Sequence, residues 1–426
     1  MRVFRTLRIF QLLLLVAAAT AQNSATQNPA PAANYDESKV GTYTLPDPLV
    51  FNDGKPVRTA RDWPKRRTEI LALFEDNWFG HSPKPRKSRY EVFDEDRHAL
   101  GGKAIRKQVR IYFSGDKNGP AEDVLIYLPA AAKGPVPLIL SLNFRGNHAV
   151  ISDPAVRLPE VWNARTHQPE RATEASRGTD KTLEVQKILE RGYGVATIYY
   201  QQIEPDFADG YKYGVRQIFG AQQPRNSDWG SIGAWAYGLS RAMDYLERDK
   251  DVDAKRVAVM GHSRLGKAVL WAGASDQRFA MVIANCPGEG GASLARRDYG
   301  ETIASITTRY GYWFAPKLAE FAAHVDQLPV DTHELIALIA PRPVYVTGAV
   351  DDQWADPKGE FVACVAAGPV YRLLGEKDLG TDQMPEMNQP IMHTIGYHIR
   401  DGKHDVLPFD WDQYLKFMDM HFRGAK

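Results

Sequence analysis

Short apolar runs exchange with amphipathic segments along most of this chain, and few architectures accept that rhythm. Runs that read as strands are Val109–Phe113, Val124–Leu128, Leu138–Leu142, Val195–Tyr199, Val257–Met260, Val282–Asn285 and Val344–Thr347. Helical patterns fall over Thr182–Arg191, Ile232–Glu247, Ala268–Ala274 and Leu335–Ile339. Such alternation predicts a mostly parallel sheet with helices on both faces. The first strands have little helix between them, which predicts an antiparallel start. In open sheets of this kind active sites gather at the carboxyl ends of strands. The turns that follow the late strands are therefore where chemistry is expected.

Charge excludes one large class of function. With 53 Lys+Arg against 52 Asp+Glu the net charge is +1, so nothing resembles the basic footprint of a nucleic-acid binder. A chain of 426 residues buries a large core without covalent staples. Two cysteines, Cys286 and Cys364, rule out a disulfide scaffold, and both are expected as buried, unpaired thiols.

The amino-terminal end reads as an export signal. Arg2, Arg5 and Arg8 precede the apolar run Leu12–Ala18, and Ala19-Thr20-Ala21 fits a small-x-small cleavage site. The run is too short to span a bilayer comfortably. Residues 1–21 are thus expected to be removed, with a periplasmic or secreted product and no stable membrane insertion afterwards. Residues 22–36, rich in Ala, Asn, Gln and Pro, read as a disordered leader. Residues 37–426 read as one catalytic domain, expected as a monomer.

Val257–Met260 runs straight into Gly261-His262-Ser263-Arg264-Leu265-Gly266-Lys267 and then a helix. A serine at the apex of a strand–turn–helix is the nucleophile arrangement of α/β-hydrolases, three-layer sandwiches around a mostly parallel sheet. The bland alternative is a helix cap. The turn also departs from G-x-S-x-G, its second glycine lying one position late. Chain order favours the catalytic reading, because this fold places nucleophile, then acid, then histidine. His404, in the polar turn Arg400–Asp405 after Ile395–His398, is the expected general base. The acid is expected in the loop after Val344–Thr347. There Asp356 precedes Pro357 and reads as a helix cap, which leaves Asp351 and Asp352. The backbone N–H of Arg264 is the expected oxyanion donor. His148, His262 and His421 read as structural. No H-E-x-x-H and no paired Cys or His spacing supports a metal site, and no cofactor is expected.

Several segments together resemble the glucuronoyl esterase family (carbohydrate esterase family 15), most closely its bacterial members. They are the turn Gly261–Lys267, the loop Asn143-Phe144-Arg145-Gly146-Asn147-His148, and Asn226-Ser227-Asp228-Trp229-Gly230 with Ala234–Gly238. Gly290-Gly291-Ala292, Arg296-Arg297, Gly300-Glu301-Thr302 and Asp352-Gln353-Trp354-Ala355-Asp356-Pro357 complete the likeness. The resemblance implies cleavage of esters that join 4-O-methyl-glucuronate on glucuronoxylan to lignin alcohols. It implies Ser263 as nucleophile, His404 as base, the Arg264 guanidinium at the oxyanion, and Lys267, Glu301 and Trp354 on the uronate sugar. Where many members carry the triad acid as Glu, this chain has Cys286, so the resemblance points to Asp352, with Glu289 as its rival. The stretch Thr307–Trp313 is less like the family. Two other readings stand beside this one: another exported carbohydrate esterase with the same triad, such as a deacetylase, and a non-catalytic carbohydrate-binding protein.

Overall fold

The structure, a computed structural model, describes residues 32–220 and 222–424. The expected signal peptide and the leader up to residue 31 lie outside the described residues. The strands are β1 (Arg89–His98), β2 (Ala104–Tyr112), β3 (Ala121–Pro129), β4 (Val136–Asn143), β5 (Glu160–Trp162), β6 (Pro169–Arg171), β7 (Gly194–Tyr199), β8 (Val252–His262), β9 (Met281–Asn285), β10 (Val344–Ala349), β11 (Ile391–Met392) and β12 (Ile395–Arg400). Ten of them form one sheet in the order β1-β2-β3-β7-β4-β8-β9-β10-β12-β11, and β5 and β6 form a separate hairpin. Pairing is antiparallel from β1 through β3 to β7 and parallel from β7 to β12, as the helix-poor start of the sequence predicts.

Side chains alternate across each strand and so feed two cores. Val257 and Val259 of β8 join one cluster, with the helices Trp63–Phe74, Ser231–Leu246, Arg264–Ser275, Thr332–Ala337 and Pro357–Leu373. Ala258 and Met260 join the other, with the helices Val185–Glu190 and Pro408–Phe422. This is the three-layer sandwich of the α/β-hydrolases. No helix of the described residues is long and apolar enough to cross a membrane. Cys286 and Cys364 are buried and unpaired.

Two parts depart from the sequence reading. β1 carries Arg89, Glu91, Asp94, Glu95, Asp96 and Arg97, and no apolar alternation marks it as a strand. It forms because β2 offers an edge, and its charges protect the new edge from further pairing. Residues 32–36, read as the end of a disordered leader, are instead tied to the fold. The Asn34 carbonyl accepts from the Gly300 N–H at 2.8 Å, and Tyr35 meets Tyr299 edge-on.

Parallel register sets the height of every carboxyl-end turn. His262 of β8 faces Asn285 of β9, Asn285 faces Thr347 of β10, and Thr347 faces His398 of β12. On the helix that follows the Ser263 turn, Trp271 stacks on Phe79 with centroids 4.5 Å apart, both nearly inaccessible. Trp271→Ala leaves a cavity that these packed aromatics cannot close. It is expected to lower unfolding free energy by about 3–5 kcal/mol in a urea titration.

Candidate active site

The turn after β8 is strained at the residue that matters. Ser263 holds φ 59° and ψ −130°, a conformation few non-glycine residues adopt. Its N–H donates to the Asn285 carbonyl at 2.9 Å, and its own carbonyl accepts from Gly266 at 2.8 Å. Gly261 is required here, since a Cβ would lie 2.1 Å from the Leu265 carbonyl oxygen. Ser263 is partly exposed at the apex, with the helix Arg264–Ser275 starting behind it.

His404 and Asp352 meet. Two backbone bonds pin their loops together, from Val350 N–H to the Arg400 carbonyl at 2.9 Å and from Asp351 N–H to the Gly402 carbonyl at 3.0 Å. The Nδ1–H of His404 donates to Asp352 Oδ2 at 2.5 Å, which leaves Nε2 free of that bond and able to take a proton. Asp352 is buried, whereas Asp351 is exposed. Asp356 caps the helix Pro357–Leu373 through a bond from Gly359 N–H, as expected. The Arg400 guanidinium braces the histidine turn by donating to the Asp401 and Asp405 carbonyls and to Asp410. The imidazole of His404 lies 4.5 Å, centroid to centroid, from that of His262, the neighbour of Ser263.

A buried polar row supports this corner. His262 Nδ1 donates to Asn285 Oδ1 at 2.7 Å, and Asn285 Nδ2 donates to the Tyr414 hydroxyl at 2.7 Å. That hydroxyl also meets Thr347 Oγ1 at 2.9 Å. Burial, reinforced by the neighbouring His404, pulls the His262 pKa down to about 4, so its ring is neutral. Among the other histidines read as structural, His148 bonds Ser176 Oγ at 2.7 Å and His421 the His393 carbonyl at 3.0 Å.

Glu289 is a poor anion. It is buried, its Oε1 has no partner, and no bond joins it to His404. Burial, with Asp331 and Glu301 adding to it, pushes its carboxyl well above the ordinary range. Cys286, where the resemblance implies a glutamate in many members, offers its thiol within 4.8 Å of the ligand atoms of Asp352 and His404. These three do not suit a metal ion. The carboxylate already holds the imidazole, and burial keeps the thiol protonated by raising its pKa well above the ordinary value.

The Arg264 guanidinium is fixed by a residue that sequence reasoning missed. Asp206, its side chain buried, accepts from Arg264 Nη1, from Tyr200 Oη at 2.8 Å, from Tyr312 Oη at 3.0 Å and from Trp313 Nε1 at 2.7 Å. Trp313 also lies 4.9 Å under the guanidinium, and Arg264 Nε has no partner. Asp206 sits in an irregular loop with no motif, so no pattern announces it. Trp313 belongs to the stretch Thr307–Trp313, which reads as less like the family.

Lys267, Glu301 and Trp354 converge. Lys267 Nζ donates to the Pro287 carbonyl at 2.7 Å and lies 3.5 Å from Glu301 Oε2, both side chains being buried. The Glu301 N–H donates to the Trp354 carbonyl at 2.8 Å, and Arg309 covers the Trp354 ring at 4.9 Å. Gly300, at φ 63°, allows this approach, because a Cβ would lie 2.5 Å from the carbonyl oxygens of Gln353 and Trp354.

A mostly parallel sheet with a strained serine between strand and helix, and a carboxylate–imidazole pair on the later loops, defines an α/β-hydrolase. A family model described as glucuronyl esterase, fungi, matches residues 162–375. A carbohydrate esterase from an unknown prokaryotic organism is 48% identical over 405 residues, covering 92% of this chain and 93% of the relative. A solved glucuronoyl esterase from Solibacter usitatus superposes with a TM-score of 0.87 at 50% identity, covering 90% of this chain and all of that one. A 4-O-methyl-glucuronoyl methylesterase from Schizophyllum commune is 28% identical over 379 residues, covering 85% of this chain and 81% of the relative. The chain belongs to the glucuronoyl esterase family of carbohydrate esterases.

The folded His262 binds its proton more weakly than an unfolded histidine. Between pH 6.5 and about 4 the unfolded chain therefore holds the extra proton, and stability falls as pH drops through that window. Urea midpoints at pH 7 and pH 4.5 are expected to differ less in His262→Asn than in the parent. An unchanged difference means that the folded ring already carries its proton.

Proposed function

We propose that this chain is a serine carboxylic-ester hydrolase that cleaves 4-O-methyl-glucuronoyl esters linking glucuronoxylan to lignin alcohols. The observation that carries the reading is the bond between His404 and Asp352, beside the strained Ser263 and the anchored Arg264. The His404 Nε2 takes the Ser263 proton as the hydroxyl attacks the ester carbonyl. The Arg264 N–H and guanidinium receive the oxyanion, the guanidinium being held for that role by Asp206. The imidazolium, held by Asp352, then protonates the leaving alcohol, and water releases uronate from the acyl-serine. Lys267, Glu301 and Trp354 hold the sugar, a polar pair and an aromatic face grouped on one side of the turn. The active unit is a monomeric catalytic domain of residues 37–426, exported by residues 1–21 to the periplasm or the medium.

Rates on a methyl glucuronate ester test the triad. Ser263→Ala is expected to lose about 1,000-fold or more in kcat and Asp352→Asn about 100-fold or more, whereas Glu289→Gln stays within about tenfold. A larger loss from Glu289→Gln than from Asp352→Asn means that the acid has been misassigned. Faster turnover of acetylated xylan than of the glucuronate ester rejects the substrate in favour of a deacetylase.

Asp206 is a positioning residue in this scheme, since it acts through Arg264. Asp206→Asn is expected to lower kcat about 10–100-fold while KM on the small ester changes little. An equal rise in KM with kcat retained points to a binding role instead.

A further inference from the structure

A recess of about 550 Å³ lies on the same edge of the sheet as the Ser263 turn, but toward the antiparallel side. The start of β3 and residues Gln201 and Gln202, which follow β7, line it together with the β5–β6 hairpin. β3 runs against β7, with Val124 facing Ile198, so its first residues reach the carboxyl edge of the parallel strands. From β8 to β3 is three strand steps, about 14 Å at ordinary spacing, a distance that a few linked sugars cover.

Its chemistry is cationic and aromatic. Asp123 accepts from Arg110 at 2.8 and 3.1 Å and lies 3.7 Å from Arg157, so one carboxylate serves two guanidinium groups. Arg171 on β6 is exposed and forms no ion pair among the described residues, although Glu160 faces it across the hairpin. Three arginines thus stand against two carboxylates. Trp162 packs against Phe207 and Tyr213, each at 5.3 Å, and Tyr213 remains 52% exposed. An aromatic face beside a free planar cation suits a sugar ring that bears a carboxylate.

We propose that this recess is a second subsite, which binds a free uronate carried on the same polysaccharide as the ester. The inference rests on the esterase reading above. The Ser263 site takes an uncharged ester and releases an acid, so the enzyme produces the group that this recess prefers. A chain already cleaved at one position stays held while another ester reaches Ser263.

Titration of the Ser263→Ala protein with a glucuronate-substituted xylotetraose and with plain xylotetraose tests the idea. The acidic sugar is expected to bind about tenfold tighter, and Arg171→Glu in that protein to remove most of the preference. With Ser263 restored, Arg171→Glu and Tyr213→Ala are expected to lower kcat/KM on polymeric substrate about fivefold or more relative to the small methyl ester. An acid preference that survives Arg171→Glu overturns the proposal, as does an unchanged ratio of polymer to small-ester activity. Binding of a neutral aromatic alcohol that needs Tyr213 and ignores Arg171 makes the recess an alcohol site instead. A parent enzyme inactive on the methyl ester refutes the esterase reading, while loss of acid preference in the binding arm still stands for the recess.

Discussion

Parallel pairing from β7 to β12 fixes where each carboxyl-end turn begins, and the site inherits its geometry from that register. A shift of one residue in β8 against β9 would separate His262 from Asn285 and turn the Ser263 apex toward the wrong face. The contact between Asn285 and the Tyr414 hydroxyl extends the same constraint to the last helix. The Ser263 turn, the Asp352 loop and the His404 turn are thereby referred to one row of buried polar groups. Such a row is stable only when its members are hydrogen-bonded, since an unpaired buried group costs about 1–3 kcal/mol.

The corner beside Ser263 shows how charge is managed in a largely buried place. Arg264 is held between aromatic rings and compensated by Asp206, whose carboxylate also takes donors from Tyr200, Tyr312 and Trp313. A guanidinium so restrained needs little reorganisation when negative charge develops in front of it. Glu289 shows the opposite treatment. Burial pushes its carboxyl well above the ordinary range and Oε1 has no partner, a setting that suits a wall better than an anion.

Much of this was legible in the sequence because the relevant signals are local. The strand, glycine and serine of the turn after β8 are contiguous, and so are Val344–Thr347 and the aspartates after them. The place of Cys286 becomes readable only against a family pattern, since nothing in a lone cysteine says what it replaces. Long-range partners were invisible for a different reason. Asp206, Tyr312 and Tyr414 reach the site from segments distant in sequence, and no spacing rule connects them. β1 escaped because its charges suppress the alternation that identifies a strand; an edge supplied by β2 decided its conformation. The anchoring of residues 32–36 was likewise unreadable from their Ala- and Pro-rich surroundings.

That anchoring bears on how far the chain can be shortened from this side. Glu37 binds Arg297 at 2.5 Å and Lys358 at 2.7 Å, and Arg297 in turn holds Asp356, the cap of the helix Pro357–Leu373. Asn34 secures Gly300, the hinge on which Glu301 meets Trp354. A protease that nibbles inward as far as Glu37 therefore cuts a tether of the corner where Glu301 meets Trp354 rather than a dispensable tail, which sets an inner limit on the shortening that leaves this corner intact.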